Sequence, residues 1–149
     1  TLYLNFLSMA TVKDIAADKF IAALAAHLEQ SNKFTAPKNH DLIKLSAAAE
    51  LAPYDEKWYF VRLAAIFRQV YIFNGVGIGK LSVHFGGNGV TQEAHRKEHT
   101  YPGARANIRH ALQQLEKAKF VATKKGKKGR FLTDAGRREL DTIAKSLKA

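Results

Sequence analysis

The sequence predicts a mostly helical fold closed by one short β-hairpin, and three observations carry that prediction. Apolar residues recur at helical spacing in separated stretches that follow Thr11, Pro53, Pro102 and Thr133. Glycine and proline punctuate the gaps between them. Late in the chain, "FVATKKGKKGRFLT" sets two short extended pieces, 120–123 and 130–133, around a basic turn containing glycine, which is the pattern of a hairpin.

Taken in order, Thr11 with Asp14 makes a capping-box start, and Ile15, Phe20, Ile21, Leu24 and Leu28 follow as the inner face of a first helix ending near Ser31 and Asn32. Residues 33–53 carry Pro37, Pro53 and a brief apolar run at Leu42, Ile43 and Leu45, the mark of an irregular connection. "YDEKWYFVRLAAIFRQVYIF" comes next, with acids at its start and apolar residues on nearly every face, as suits the central helix of a small fold. Asp55, Arg62 and Gln69 recur every seven residues and form one polar stripe on it. Two readings of that stripe stand: a ligand-facing line, or a solvated one with Arg62 paired to a neighbouring acid.

Glycines at 75, 77, 79, 86 and 87 then bracket a segment, 80–85, long enough for only about two helical turns. "PGARANIRHALQQLEKAKF" is a strong helix whose inner face is Ile108, Ala111, Leu112 and Leu115, with Arg105 and Arg109 stacked at i, i+4 beside it. After the hairpin, Thr133 caps a last helix from about Asp134, with Leu140, Ile143, Ala144 and Leu147 turned inward. The order of long helix, short helix, basic helix, charged hairpin and closing helix is the outline of a winged helix-turn-helix core with an additional N-terminal helix.

Charge says what such a core meets. The 149 residues carry a net +11, and residues 101–149 hold 13 Lys and Arg against 4 Asp and Glu. A positive field concentrated in one third of the chain fits docking to a polyanion, because phosphates release counterions to it. With no cysteine, disulfides and cysteine metal sites are excluded. The apolar opening, residues 1–8, lacks a basic leader and is too short for a signal peptide or a span, and "MATVKD" reads as a natural start. Residues 1–8 are therefore expected to be an extension, and 9–149 a single winged-helix-like domain.

Two enzyme motifs fail on their surroundings. "GVGIGKLS" has Asn74 and Leu81 where a phosphate loop requires Gly and Ser or Thr, and it follows a helix where such a loop follows a strand. "HRKEH" matches an inverted zinc-protease pattern through His95, Glu98 and His99, but it lacks apolar periodicity and sits beside Pro102 and Gly103, so it reads as a polar loop. His27, His40, His84 and His110 have no spacing that would make a ligand set. A lone "GKKGR" turn would read as merely solvated, whereas Arg105 and Arg109 on the preceding helix add to it and favour polyanion contact.

Several separated blocks in the right order, "VKDIAADKFIAALAAHL", "ELAPYDEKWYFVRLAA", "GVGIGKL", "ALQQLEK" and "GRFLTDAGRRELDTIA", make the chain from Met9 onward resemble the S19e-type ribosomal proteins of archaeal and eukaryotic small subunits. Trp58 and Arg62 match the aromatic-to-arginine step of that family's central helix, Arg109 a basic position of its groove-facing helix, and Gly129, Arg130 and Gly136 its wing and exit. The chain departs from the pattern at Phe73, Asn74 and "GGNGV", which are uncharged where the family is often basic, and in a longer loop 91–102 and a longer, more basic wing.

The resemblance implies a structural constituent of the small (40S) subunit that binds ribosomal RNA in the subunit head and supports its maturation and assembly. It implies no catalysis, cofactor, metal, membrane or small-molecule substrate. Partners would be small-subunit ribosomal RNA and neighbouring ribosomal proteins, with the chain monomeric in a cytoplasmic ribosome and assembled in the nucleolus if the cell is eukaryotic. The expected phosphate contacts are Arg62, Lys80, Arg105, Arg109, Lys124, Lys125, Lys127, Lys128 and Arg130. The element order by itself also fits a winged-helix DNA-binding transcriptional regulator, although no heptad seam for a dimer is present.

Overall fold

In the computed structural model, which describes residues 10–87 and 98–148, the first amphipathic stretch is broken after one turn. The Asp14 carboxylate accepts from Thr11 N at 2.8 Å and from Thr11 Oγ1 at 3.1 Å, but this capping box closes a short 3-10 turn (Val12–Asp14). The chain re-extends at Ile15 before α1 (Ala17–Gln30) begins. Burial of Val12 explains the break: its side chain is fully enclosed in the core, and a continuous helix would commit it to the axis of α1 instead. Phe20, Leu24 and Leu28 are buried as expected, and Asn32 stops the chain in left-handed geometry at φ +52°.

The connection that follows is irregular but tied down at its middle. Trp58 Nε1 donates to His40 O at 2.9 Å, and Ala104 N donates to Leu45 O at 2.8 Å. Helix α2 (Trp58–Ile72) starts three residues later than the acids suggest. Asp55 lies outside it in a local turn, its Oδ1 accepting Lys57 N at 2.9 Å and its carbonyl accepting Trp58 N. Aspartate competes for nearby backbone donors in this way and so favours the residue before a helix over its interior. Tyr59, Leu63, Ala64, Ile66, Phe67 and Val70 are enclosed, so α2 is the central helix.

Short α3 (Ile78–His84) and long α4 (Arg105–Lys117) complete the helix-turn-helix. Strands β1 (Val121–Thr123) and β2 (Arg130–Leu132) pair antiparallel, with Val121 opposite Leu132 and Thr123 opposite Arg130. Helix α5 (Asp134–Lys148) closes the chain, its first turn held by Gly136 N donating to Thr133 Oγ1 at 3.2 Å. Leu140, Ile143 and Ala144 are buried, whereas Leu147, expected to face inward, is 41% exposed. One hydrophobic cluster among the described residues runs from Val12 through α1, α2 and α4 to Ala144. The expectations for residues 1–8 and 91–97, including His95, lie outside the described residues. Glu98 and His99 are both exposed, 4.0 Å apart.

The wing has a support that periodicity does not reveal. Gly75 N donates to Arg130 O at 3.0 Å and Arg130 N to Val76 O at 2.9 Å, so the α2–α3 connection adds a third short edge to the hairpin. Leu132 N donates to Asn74 Oδ1 at 3.0 Å beside it. Gly129 permits this close approach, with φ +95° and only 2.3 Å between an added Cβ and Gly75 O. Gly129→Ala is therefore expected to destabilise the wing by about 2 kcal/mol. Hydrogen exchange should accelerate at the amides of Gly75 and Arg130, and unchanged protection there would refute the clamp.

Candidate nucleic-acid interface

Helix α4 presents its cations by simple periodicity. Ile108, Ala111, Leu112 and Leu115 face the core, which leaves Arg105 and Arg109 exposed on one flank at i and i+4. Glu116, at i+11, falls on the same stripe, and there it accepts Arg130 Nε at 2.8 Å. That ion pair ties the base of the wing to the stripe that carries Arg105 and Arg109. Its side chains are only 20% and 30% exposed, so it acts as a brace more than as a mobile surface pair.

Beyond the brace, Lys124, Lys125, Lys127 and Lys128 are all exposed at the wing tip. None of them, nor Arg105 or Arg109, has an ion-pair partner among the described residues. Lys124 Nζ stands 5.0 Å from the centre of the Phe131 ring. The same ring sits where a Cβ on Gly75 would touch it at 3.0 Å, which carries the surface on to the α2–α3 connection. There Lys80 Nζ lies 4.2 Å over the ring of Phe73, which is itself 46% exposed. Stripe, wing and Lys80 thus form a connected cationic surface.

Arg62 is placed differently. Its guanidinium stacks on the Phe85 ring at 4.3 Å and lines a narrow crevice with Leu45, Ala104, Asn107 and Ile108, against the first turn of α4. Burial holds its pKa below the ordinary arginine value. The stripe of Asp55, Arg62 and Gln69 is broken up accordingly: Asp55 is outside the helix, and Arg62 meets an aromatic ring in place of the neighbouring acid. Sequence reasoning missed the roles of Glu116, Asn74 and Phe85, whose partners lie 14, 58 and 23 residues away in the chain. The Asn-Gly step at 74–75 was the one available signal of a special turn.

Behind the stripe, Tyr59 Oη and His110 Nδ1 share a hydrogen bond at 2.6 Å, the hydroxyl donating when the neutral ring carries its hydrogen on Nε2. Burial raises the Tyr59 hydroxyl well above its ordinary range. Burial, and then the charge of Lys117, lowers the pKa of His110. The unfolded chain therefore takes up this proton first. The contribution to stability is complete above the ordinary histidine value of about 6.5 and is lost as pH falls through the lower folded value. Between about pH 7 and about pH 5 the denaturant midpoint should fall, and His110→Gln should flatten that fall. An equal slope in both proteins would refute the assignment.

The family described as Ribosomal protein S19e matches residues 11–149. Among curated relatives, small ribosomal subunit protein eS19A of Schizosaccharomyces pombe is 42% identical over 137 residues, covering 92% of this chain and 93% of the relative. Small ribosomal subunit protein eS19 of Myxine glutinosa is 40% identical over 134 residues, covering 90% of each chain. Its counterpart from Oryza sativa subsp. japonica is 37% identical over 134 residues, again covering 90% of each. With the match spanning the helices, the stripe and the wing alike, the chain belongs to the S19e family of ribosomal proteins, which are structural proteins and not enzymes.

Proposed function

We propose that this chain is a structural constituent of the small (40S) ribosomal subunit, which binds ribosomal RNA in the subunit head and supports its maturation and assembly. The single observation that carries the reading is the connected cationic surface: exposed Arg105 and Arg109 on α4, braced through Glu116 and Arg130 to the exposed lysines of the wing. The proposed phosphate contacts are Lys80, Arg105, Arg109, Lys124, Lys125, Lys127 and Lys128. Arg130 and Arg62, engaged with Glu116 and Phe85, hold that surface in shape from within. Duplex RNA hides its base edges in a narrow major groove, so recognition goes through backbone and shape. The names of the relatives support the subunit assignment.

Residues 9–149 act in this reading as one domain, with 1–8 as an extension. The partners are ribosomal RNA and neighbouring ribosomal proteins in a cytoplasmic particle, assembled in the nucleolus if the cell is eukaryotic. Sedimenting a lysate in high salt tests the proposal: the chain should travel with small subunits, and its recovery in the soluble fraction would refute it. Loosely held basic proteins are stripped under those conditions, because exposed charges are screened.

A further inference from the structure

A second surface of the molecule has the opposite sign. Where α1 meets the start of α2, two open depressions of about 320 Å³ each adjoin at Asp55. Ala22, Ala25, Phe60 and Val61 line the first, and Pro53, Tyr54 and Trp58 line the second. Four carboxylates, Glu29, Asp41, Asp55 and Glu56, edge this trough. They face one lysine, Lys57, which is already held by Glu29 at 2.9 Å. In a chain of net charge +11 this is a local inversion of sign.

Apolar groups stand out beside these acids. Tyr54 is fully exposed, at 104%, and Val61 is 41% exposed. A projecting tyrosine next to aliphatic side chains is the composition of a protein-binding hot spot. The carboxylates oppose an approaching phosphate backbone and attract a cationic segment. We infer that this trough docks a Lys- or Arg-rich segment of a second protein in the particle. An aliphatic side chain of that segment rests against Ala22, Ala25 and Val61, while its cations meet Asp41, Asp55 and Glu56. The molecule thereby works as an adaptor, with RNA on the α4 and wing surface and a basic protein on the acidic one. This inference rests on the placement in the small-subunit particle proposed above.

Photo-crosslinking in purified small subunits tests it, with p-benzoylphenylalanine replacing Val61 in one preparation and Lys127 in another. The probe at position 61 should join a protein segment of net positive charge, identified by mass spectrometry. That product should drop at least tenfold when Asp41→Lys and Glu56→Lys are added. Both side chains are exposed at the rim of the trough, so the lysines can be accommodated without disturbing the core. Crosslinking of position 61 to ribosomal RNA, to an acidic segment, to a second copy of this chain or to nothing would overturn the inference. So would a yield indifferent to the two lysine substitutions. The probe at position 127 reports on the RNA reading separately: it should reach ribosomal RNA in either background. Its failure, or absence of the chain from the particles, would sink that reading and the adaptor with it.

Discussion

Phe67→Ala is expected to lower stability by about 3–5 kcal/mol, the range for emptying a buried phenylalanine site. Phe67 is completely enclosed at the centre of α2 and stacks on Phe120, with ring centroids 5.5 Å apart and planes 14° apart. Phe120 in turn meets Phe34 at 6.4 Å, and its carbonyl accepts Thr133 N at 3.1 Å and Thr133 Oγ1 at 2.8 Å. This row of rings joins the connection after α1, the central helix, the start of the wing and the cap of α5. Truncation removes apolar burial and leaves a cavity that four separate elements cannot collapse together to fill. Small domains are stable by only about 5–15 kcal/mol in total, so the loss is large enough to expose the chain to degradation. Chemical denaturation of Phe67→Ala beside Phe67→Leu checks it. A loss below about 1 kcal/mol for the alanine variant would show that the aromatic row does not hold the core together.

Reversing Arg105, Arg109, Lys124 and Lys125 to Glu together should weaken binding to small-subunit ribosomal RNA on the order of 100-fold or more near 100 mM salt, since phosphate neutralisation carries most of such affinity. The plot of log affinity against log salt should also become shallower, by about one for each phosphate that is no longer neutralised. All four side chains are exposed and none is ion-paired among the described residues, so the thermal midpoint should stay close to that of the unaltered chain. A full salt slope in the reversed protein would place the RNA on another surface. Arg130 does not belong in this set: Arg130→Glu would set two carboxylates against each other at the brace with Glu116, and weaker binding could then come from a loosened wing.

Most of the architecture was legible because it is written in local patterns. The inner face of α4, the hairpin and the Thr133 cap all depend on spacings of a few residues, and each is where that spacing puts it, while the two-turn α3 begins at Ile78, two residues before the expected 80–85 segment. The differences fall where a distant contact overrides a local preference. Thr11 and Asp14 make their capping box, yet the core pulls Val12 out of line and splits the first helix in two. Leu147 keeps the periodicity of α5 but stays 41% exposed. The acidic trough was not legible either, since Glu29 and Asp41 come to the edge of one depression system only when α1 and the irregular connection fold onto the start of α2.

What the sequence by itself determined is the inventory: which stretches are helical, where the turn falls, and that the C-terminal third carries an excess of positive charge. Only the tertiary structure decided which of those charges face outward. Arg130 looks like its neighbours in the chain but is held by Glu116, while Arg105, Arg109 and the wing lysines remain exposed; outside that third, Arg62 likewise lies on Phe85. A cation's availability depends on what the fold brings within about 4 Å of it. Contacts between residues far apart in the chain follow no period that a linear pattern could display.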